Sequence, residues 1–324
     1  MIQPWLSVVI PTYNGAANLP FTLDSISEQS DSSIECIAVD DGSTDTTLSI
    51  LDAYKSKLPL QIIKRERQGN WVANSNFALS IARGQFACFL HQDDLWLKDR
   101  LRTMKRIINQ FPSVDFFLHA SQFVNMGGSY LGLWKCPLPH FPQVIKPELM
   151  LERLLIQNFI SIPAPIFRLK TALTVGGMDE TAWYTADWDF WLKIAARSDA
   201  LYYPKPLSGF RVHPNSQTIV RSSYLQDFRE QIEHVAIKHM ALWNAPEHKK
   251  REIRKVVDFS MQLNSTLAGA FHGVRPNFIK LLVAFFILGP SGWHRYFRDS
   301  RIWERTSARL KARPVNPSKS YSNN

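Results

Sequence analysis

The chain has 324 residues, of which 45% are hydrophobic and 12% aromatic, so it can bury a large core and is not an intrinsically disordered protein. Its three cysteines are too few and too scattered for a disulfide framework or a thiolate metal site, which indicates a reducing compartment. Residues 1–213 hold 20 basic and 20 acidic residues, whereas residues 214–324 hold 18 and 8, so the net charge of +10 lies entirely in the last third. A basic region of this kind suits an anionic membrane surface or nucleic acid.

The first hundred residues alternate between apolar runs of strand length and segments of helical periodicity. The predicted strands cover residues 6–10, 34–39, 60–63 and 86–90. Asn18 is the expected cap of the first intervening helix, and Gly84 the expected stop of the third. This series predicts an α/β fold with a parallel, doubly wound sheet, whose ligand crevice lies beyond the carboxyl ends of the strands. Because the first strand begins within six residues of Met1, we expect no secretory signal.

Two of these strand ends carry side chains suited to a nucleotide base. Tyr13 follows the first strand and offers an aromatic surface, while Asp40 ends the second and offers an acceptor for the imide N–H of a pyrimidine. The alternative is that residues 40–43 form an Asx turn that caps the next helix. Neither a dinucleotide-binding glycine motif nor a P-loop follows the first strand, so we expect another mode of nucleotide binding.

Adjacent carboxylates, Asp93 and Asp94, follow the fourth strand. Two carboxylates that face a diphosphate would repel it unless a divalent cation lay between them, and Mg²⁺ and Mn²⁺ both prefer oxygen ligands. The pattern therefore predicts Mn²⁺ or Mg²⁺ as a cofactor. The alternative is that the pair caps a helix that begins near Leu97.

Four segments in register resemble the family 2 glycosyltransferases of GT-A fold, over about residues 5–216. The matching segments are residues 7–14 (SVVIPTYN), 39–43 (VDDGS), 82–86 (ARGQF) and 89–94 (FLHQDD). The resemblance implies a Rossmann-like, mainly parallel sheet and a nucleotide-sugar donor, as in the enzymes that build bacterial surface glycans. It also implies single-step transfer with inversion at the anomeric carbon.

Individual positions match the site residues of that family. The resemblance assigns nucleotide contacts to Pro11, Tyr13, Asp40, Asp93 and the helix start that includes Gly69 and Asn76. It assigns the metal to Asp94, and an Arg-x-His segment suggests His213 as a second metal ligand and Arg211 as a neutralising group for the diphosphate. His91 stands where the family has the first Asp of its segment, which leaves open the side chain that completes the metal's ligand shell.

A later segment, residues 186–191, resembles the Glu-Asp-x-Asp-Leu-Trp segment of the family. By this match Asp187 is the catalytic base, which a direct displacement requires because the acceptor hydroxyl must lose its proton as it attacks. Ala186 replaces the common Glu. Asp189 would point about 200° away from Asp187 on a helix, so we expect it to cap the helix or to lie on its solvent face instead.

The last third carries no comparable motif. Helices are predicted over residues 222–241 and 246–270, followed by an apolar run over residues 278–288 that is too short to span a bilayer. Aromatic residues and arginines then alternate up to Arg313, as in an amphipathic basic helix. We expect this helix to lie on a membrane with its aromatic side down; the alternatives are a hairpin packed on the catalytic domain and nucleic-acid binding.

The sequence thus predicts a GT-A domain over residues 1–216, a helical basic extension over 217–313 and a disordered tail over 314–324. We expect a non-processive transferase that moves one sugar from a UDP or dTDP donor to a hydroxyl of a glycan or lipid-linked acceptor, because the Gln-x-x-Arg-Trp segment and the membrane spans of processive synthases are absent. The expected location is cytoplasmic, at the inner face of the membrane, without nucleic acid as a partner. The alternatives are a catalytically silent GT-A module used for binding, or a sugar nucleotidyltransferase.

Overall fold

The computed structural model describes residues 3–213, 224–275 and 277–312. Their strands are β1 (Leu6–Thr12), β2 (Ile34–Asp40), β3 (Leu60–Lys64), β4 (Phe86–Phe89), β5 (Leu95–Trp96), β6 (Phe116–Val124), β7 (Tyr130–Trp134), β8 (Gln143–Ile145), β9 (Ile166–Arg168) and β10 (Ala200–Arg211). Their helices are α1 (Leu19–Ser27), α2 (Thr47–Tyr54), α3 (Trp71–Ile81), α4 (Arg100–Gln110), α5 (Pro147–Ile156), α6 (Leu169–Thr174), α7 (Ala186–Ala195), α8 (Leu225–Leu242), α9 (Glu247–Phe271), α10 (Phe278–Ser300) and α11 (Ile302–Lys311). All strands and helices predicted in the first hundred residues are present.

The strands form one sheet in the order β3-β2-β1-β4-β9-β6-β10-β5, with β7 paired to β6 and β8 to β10. The longer pairings are parallel: β1 with β2 and β4, β2 with β3, and β6 with β10. The short strand β9 lies antiparallel between β4 and β6, and β5 and β8 run antiparallel to β10. The predicted mainly parallel sheet is confirmed, and the carboxyl ends of β1, β2 and β4 meet at one edge.

Strand β1 shows how the core forms on both faces of the sheet. Leu6, Val8 and Ile10 pack with apolar residues of α1, α2 and α4, whereas Val9 packs on the opposite face with α3, α5 and α7. Successive side chains of a strand point to opposite faces. A strand covered on both faces is therefore apolar throughout, which is the pattern that its sequence displays.

Three local expectations differ from the structure. Asn18 occupies the cap position of α1, but its side chain makes no capping hydrogen bond. Helix α3 ends at Ile81, before Gly84, and a Cβ at Gly84 would lie only 2.6 Å from Ser7 Oγ, so close approach to β1 explains this glycine. Helix α4 begins at Arg100 after the cap position Asp99, so Asp93 and Asp94 do not cap it.

The C-terminal helices pack onto the sheet domain. Helix α8 contacts α5, α7 and α9; α9 and α10 contact α5; and α11 contacts β7. Phe228, Ile253 and Tyr296 belong to the same apolar cluster as the α5–α7 face of the sheet. The alternative of a helical structure packed on the catalytic domain therefore describes most of this region. The predicted boundaries between residues 216 and 217 and between 313 and 314, and the predicted tail, lie outside the described residues.

Helix α10 changes character at Gly289, whose φ of 68° breaks the helix immediately before Pro290. Two aromatic residues after this kink face the protein: Trp293 stacks on Phe285 at 4.8 Å between ring centroids, and Tyr296 is fully buried, whereas Phe297 and Trp303 are exposed. The expectation that this aromatic side faces a membrane is thus wrong for Trp293 and Tyr296. Before the kink, one face of α10 is solvent-exposed; it consists of Phe278, Ile279, Leu282, Val283, Phe286 and Ile287, called the apolar stripe below. No described helix is long and apolar enough to span a membrane.

Candidate active site

A cavity of about 330 Å³ lies between the carboxyl ends of the strands and the C-terminal helices. Seven of the ten site residues predicted from the sequence line it: Pro11, Tyr13, Gly69, Asp93, Asp94, Asp187 and Arg211. The other three, Asp40, Asn76 and His213, are not among the lining residues. The segments that follow β1 to β4 form one end of the cavity, called the strand end. Residues of α8, α9 and α11 form the opposite end, called the helical end.

The strand end contains a compact group of Tyr13, Arg67 and Asp41. The Arg67 guanidinium lies over the Tyr13 ring, 3.5 Å from its centroid, and forms an ion pair with Asp41. Asp41 also accepts hydrogen bonds of 2.9 Å from the backbone N–H groups of Gln68 and Gly69. Burial raises the pKa of Asp41, but these donors and the Arg67 charge outweigh burial and lower the pKa overall. An aromatic ring and a charged carboxylate are therefore held in place at this end.

Asp40 lies behind this group, at the end of β2, with 1% of its surface exposed. Its carboxylate accepts hydrogen bonds from the backbone N–H of Ser43 at 2.9 Å and from its Oγ at 2.6 Å, and a third from Thr12 Oγ1 at 3.2 Å. These contacts form an Asx-type turn over residues 40–43, but this turn does not cap α2, which begins at Thr47 after the cap position Thr46. The carboxylate that lines the cavity is the neighbouring Asp41.

The segment before α3 contributes Gly69, whose φ of 71° favours glycine, and Asn70, whose side chain accepts hydrogen bonds from the N–H groups of Val72 and Ala73. Asn76 lies further along the helix and bonds the backbone N–H and C=O of Met178, each at 2.9 Å. Asn76 therefore fixes the glycine loop over residues 176–180 against α3. Gly69, Trp71 and Asn74 of the predicted segment line the cavity, whereas Asn76 does not.

The carboxylate pair after β4 has two different environments. Asp94 is 2% exposed and accepts a hydrogen bond of 2.9 Å from the backbone N–H of Arg211, while Asp93 contacts His213 Nε2 at 3.0 Å. Burial, and then repulsion by Asp93, raise the pKa of Asp94 well above its ordinary value. Burial also acts on Asp93, but His213 and His91 lower its pKa overall. A cation bound beside Asp94 would therefore stabilise its charged form.

Arg211 ends β10 and is 2% exposed. Its guanidinium donates to the backbone C=O groups of Asp93 at 2.7 Å, Asn125 at 3.0 Å, and Met126. It thus ties together the ends of β4, β6 and β10, while its Nη2 has no partner and the residue lines the cavity. His213 contacts Asp93 and not Asp94 in the described contacts. One Arg-x-His segment therefore orders the carboxylate pair.

The donor set at this edge is chemically suited to a hard cation but incomplete by itself. No group of three His, Cys, Asp or Glu side chains within the described parts of the chain is placed to hold a metal. Mg²⁺ and similar ions are commonly bound by one or two carboxylates, with substrate phosphates and water as the other ligands. The buried Asp94, whose pKa is raised by burial and then by the charge of Asp93, fits such a shared site.

Asp187 lies in the first turn of α7 and lines the middle of the cavity. Its carboxylate accepts hydrogen bonds from Asn158 Nδ2 at 3.0 Å and from the backbone N–H of Trp188 at 2.8 Å. Burial raises its pKa to about 6, and these two donors limit the rise. A carboxylate with this pKa is deprotonated at neutral pH yet basic enough to accept a proton from a reacting hydroxyl.

Asp189 differs from Asp187 although it is on the same helix. It is 1% exposed and pairs with Lys193, Lys238 and His239, each at 2.7 Å. Burial would raise its pKa, but these three partners lower it overall. As expected, Asp189 points away from the cavity, although into a buried charge cluster rather than toward solvent.

Four charged residues that line the cavity were not assigned as ligands from the sequence: Asp41, Arg67, Arg305 and Arg309. Asp41 follows a better-matched aspartate, and Arg67 lies two residues before Gly69 without a motif of its own. Gln92 was also missed, although its amide bonds both the backbone N–H and the C=O of Tyr13 at 2.9 Å. Arg305 and Arg309 are in the basic extension, where their charge was read as general rather than local.

The comparisons with known proteins agree with this fold. Residues 7–134 match the model of glycosyl transferase family 2. Over 193 residues the chain is 28% identical to an uncharacterized glycosyltransferase of Haemophilus influenzae, a match that covers 58% of the chain and 61% of that protein. Over 197 residues it is 30% identical to a PGL/p-HBAD biosynthesis glycosyltransferase of Mycobacterium bovis, covering 59% and 69%. The chain belongs to glycosyl transferase family 2.

Solved structures extend the likeness to the C-terminal helices. TarS 1-349 of S. aureus in complex with UDP-GlcNAc superposes with a TM-score of 0.68 at 21% identity, covering 95% of the chain and 89% of that structure. The mannosyltransferase PcManGT of Pyrobaculum calidifontis, in complex with GDP-Man and Mn²⁺, gives a TM-score of 0.57 at 19% identity, covering 96% and 88%. At these identities the likeness establishes the GT-A type of fold, including its helical extension.

Proposed function

We propose that the protein is an inverting, non-processive glycosyltransferase that moves one sugar from a UDP or dTDP donor to a hydroxyl of a glycan or lipid-linked acceptor. The observation that carries the proposal is the position of Asp187. A buried carboxylate with a pKa of about 6 lines the same cavity as the carboxylate pair and the Tyr13–Arg67–Asp41 group. Direct displacement of a nucleotide diphosphate requires a group that accepts the proton of the acceptor hydroxyl, a site for the diphosphate and a site for the nucleobase.

The strand end would bind the nucleotide. Tyr13 would stack on the base, and Asp41, which lines the cavity, would take the imide contact first assigned to Asp40. Gln92 holds the Tyr13 backbone, and Arg67 and Asp41 form an ion pair, so these side chains lose little conformational entropy when a nucleobase binds. UDP and UDP-GlcNAc complexes of the TarS neighbour favour a uracil base.

Asp94 and Asp93 would hold a divalent cation, Mn²⁺ or Mg²⁺, which when bound would neutralise the charge of the leaving diphosphate. The Arg211 backbone N–H and His213 keep the two carboxylates in position for it. Asp187, fixed by Asn158, would take the proton of the acceptor hydroxyl as that oxygen attacks the anomeric carbon. The nucleotide diphosphate leaves from the opposite side, so the product is inverted.

A panel of UDP, dTDP and GDP sugars, with Mn²⁺, Mg²⁺ or EDTA, tests this proposal by the release of nucleotide diphosphate. We expect metal-dependent release from a uridine or thymidine donor, and none from Asp94→Asn. A protein that binds UDP but releases no nucleotide diphosphate from any donor would be the silent binding module instead. Pyrophosphate release from a nucleoside triphosphate and a sugar phosphate would indicate the nucleotidyltransferase.

The apolar stripe on α10 would attach the enzyme to the cytoplasmic face of an anionic membrane. Its six residues are between 53% and 77% exposed, and Val274 and Phe271 at the end of α9 extend the exposed apolar surface. The last third of the chain supplies the positive charge that attracts anionic headgroups. We expect Phe286→Ser/Ile287→Ser to lose most cosedimentation with phosphatidylglycerol vesicles while UDP release is retained. Dimerisation that the same substitutions abolish, without vesicle binding, would identify a second copy as the partner.

A further inference from the structure

The helical end of the cavity contains two arginines on successive turns of α11. Arg305 and Arg309 both line the cavity, and no ion pair of the described residues includes either one. The other arginines of this region are paired: Arg295 with Glu152, Arg298 with Asp299, and Arg301 with Glu304. Among the described arginines of α10 and α11 and the residue between them, those without a carboxylate partner are therefore the two that line the cavity.

Arg305 is the less satisfied of the two. Its Nη1 is buried without a hydrogen-bond partner, and its Nη2 makes only a long contact of 3.4 Å with Asn264 Oδ1. Burial, and then the charge of Arg309, lower its pKa to about 10. A buried charge without a partner is costly, so an anion bound to this guanidinium would stabilise the charged form.

Further unpartnered donors line the same cavity. Trp134 Nε1 and Thr185 Oγ1 are both buried without a partner. Asp187 also lines this cavity, and its own hydrogen bonds come from Asn158 and Trp188. Among the described lining residues of α8, α9 and α11, the two arginines are therefore not balanced by a carboxylate, and unpartnered polar groups lie elsewhere in the same cavity.

Tyr184 links the arginines to the segment that carries Asp187. Arg309 hydrogen-bonds Tyr184, and the charges of both arginines and of Asp187 act on that residue. Tyr184 precedes α7 by two residues, and Asp187 is in the first turn of that helix. A ligand group held by the arginines would therefore share the cavity that Asp187 lines.

We propose that the acceptor carries an oxyanion, a phosphate or a carboxylate, near the attacked hydroxyl, and that Arg305 and Arg309 bind this group. The inference rests on the proposed function for the catalytic role of Asp187, but the anion site itself does not depend on it. Guanidinium groups bind phosphate and carboxylate through paired hydrogen bonds, and two of them on adjacent turns can share one oxyanion. The acceptor is then a molecule that carries a phosphate or a carboxylate rather than a neutral oligosaccharide.

Binding of inorganic phosphate tests the site independently of transfer. With UDP and Mn²⁺ at saturation to block the donor site, we expect phosphate to raise the melting temperature of the wild type. Arg305→Gln/Arg309→Gln should abolish this shift, and Arg251→Gln, which removes an exposed arginine of α9 outside the cavity, should retain it. Unchanged stabilisation of the double variant by phosphate would overturn the inference. Circular dichroism of the variants checks that each is folded.

Matched acceptors test the role in transfer and distinguish the two oxyanions. A phosphorylated glycan is compared with its dephosphorylated form, and a uronic acid glycoside with the corresponding hexoside. We expect the anionic member of one pair to be favoured in kcat/KM by about 10- to 100-fold, and this preference to disappear in the double variant. Equal use of both members, with UDP released, would overturn the inference alone. Absence of UDP release from any donor would contradict the proposed function, while the phosphate shift would still decide on the anion site.

Discussion

The two ends of the cavity differ in how their charges are balanced. At the strand end, Asp41 pairs with Arg67 and Asp93 contacts His213, and Asp94 is the carboxylate that a cation would neutralise. At the helical end, Arg305 has a buried Nη1 without a partner, and neither Arg305 nor Arg309 has a carboxylate partner among the described residues. The strand end therefore holds most of its charged groups in place before a ligand binds and would attract a cation, whereas the helical end would attract an anion.

This difference follows from the way each end is built. The strand end consists of short segments after parallel strands, whose positions the sheet hydrogen bonds fix. The helical end consists of helices that cross over the sheet and are held by apolar packing, which fixes backbones but not the partner of each long side chain. The first end can thus serve a nucleotide common to many enzymes, and the second can vary with the acceptor.

Asp187 lies between the two ends, and its replacement should have the largest effect. Asp187→Asn keeps the shape of the side chain but removes the base, so we expect transfer to fall by about 10²- to 10⁴-fold. UDP binding, measured by calorimetry, should stay within about twofold because the strand end is untouched. A transfer rate close to that of the wild type would exclude Asp187 as the base.

The pH profile of the wild type should reflect the same group. Burial raises the pKa of Asp187 to about 6, and only the deprotonated form can accept a proton. We expect the rate with saturating substrates to be flat above pH 7 and to fall with decreasing pH, to about one tenth at pH 5. Asp187→Asn should lack this limb, and a wild-type profile without it would argue against the assignment.

The sequence predicts the strand end well for a physical reason. Apolar runs that stop at Tyr13 and at Asp93 mark where strands end, and parallel strands bring such ends together without further information. The sequence does not show which of Asp40 and Asp41 lines the cavity, because this depends on which carboxylate accepts the hydrogen bonds of the Asx turn. The role of Arg305 could not be read either, since it depends on how α11 packs against β7, which no local pattern specifies.

Asp189 provides a counterpart to the unpaired arginines, because it neutralises Lys193, Lys238 and His239 within the core. Asp189→Asn leaves these groups buried without a full counter-charge, so we expect a loss of about 3 kcal/mol in the free energy of unfolding. Urea denaturation at pH 7 measures it, with Asp52→Asn on the surface of α2 as the control. A loss below about 1 kcal/mol would show that solvent reaches the cluster.

Asp41 and Asp40 allow the strand end to be examined one carboxylate at a time. Asp41→Asn removes the charge that holds Arg67 over Tyr13, so we expect UDP to bind about tenfold more weakly with little change in stability. Asp40→Asn weakens the Asx turn instead and should lower the melting temperature more than the affinity. The reverse pattern would return the base contact to Asp40.

The smallest expected effect concerns stability, and it has opposite signs for the two aspartates of α7. The pKa of Asp187 is raised in the folded state, so the folded protein binds its proton more tightly than the unfolded chain does, and stability falls as the pH rises from about 4 to about 6 and stays constant above that. Asp187→Asn should therefore be more stable than the wild type by about 1 to 2 kcal/mol at pH 8, and this difference should vanish as the pH falls from 6 to 4.

The pKa of Asp189 is lowered in the folded state, so its contribution is present above pH 4 and is lost as the pH falls further. Urea denaturation of both Asn variants between pH 4 and 8 should give a difference that grows with pH for Asp187 and stays constant for Asp189. Parallel profiles would mean that Asp187 is not held at an energetic cost, and that the site between the two ends is not strained for catalysis.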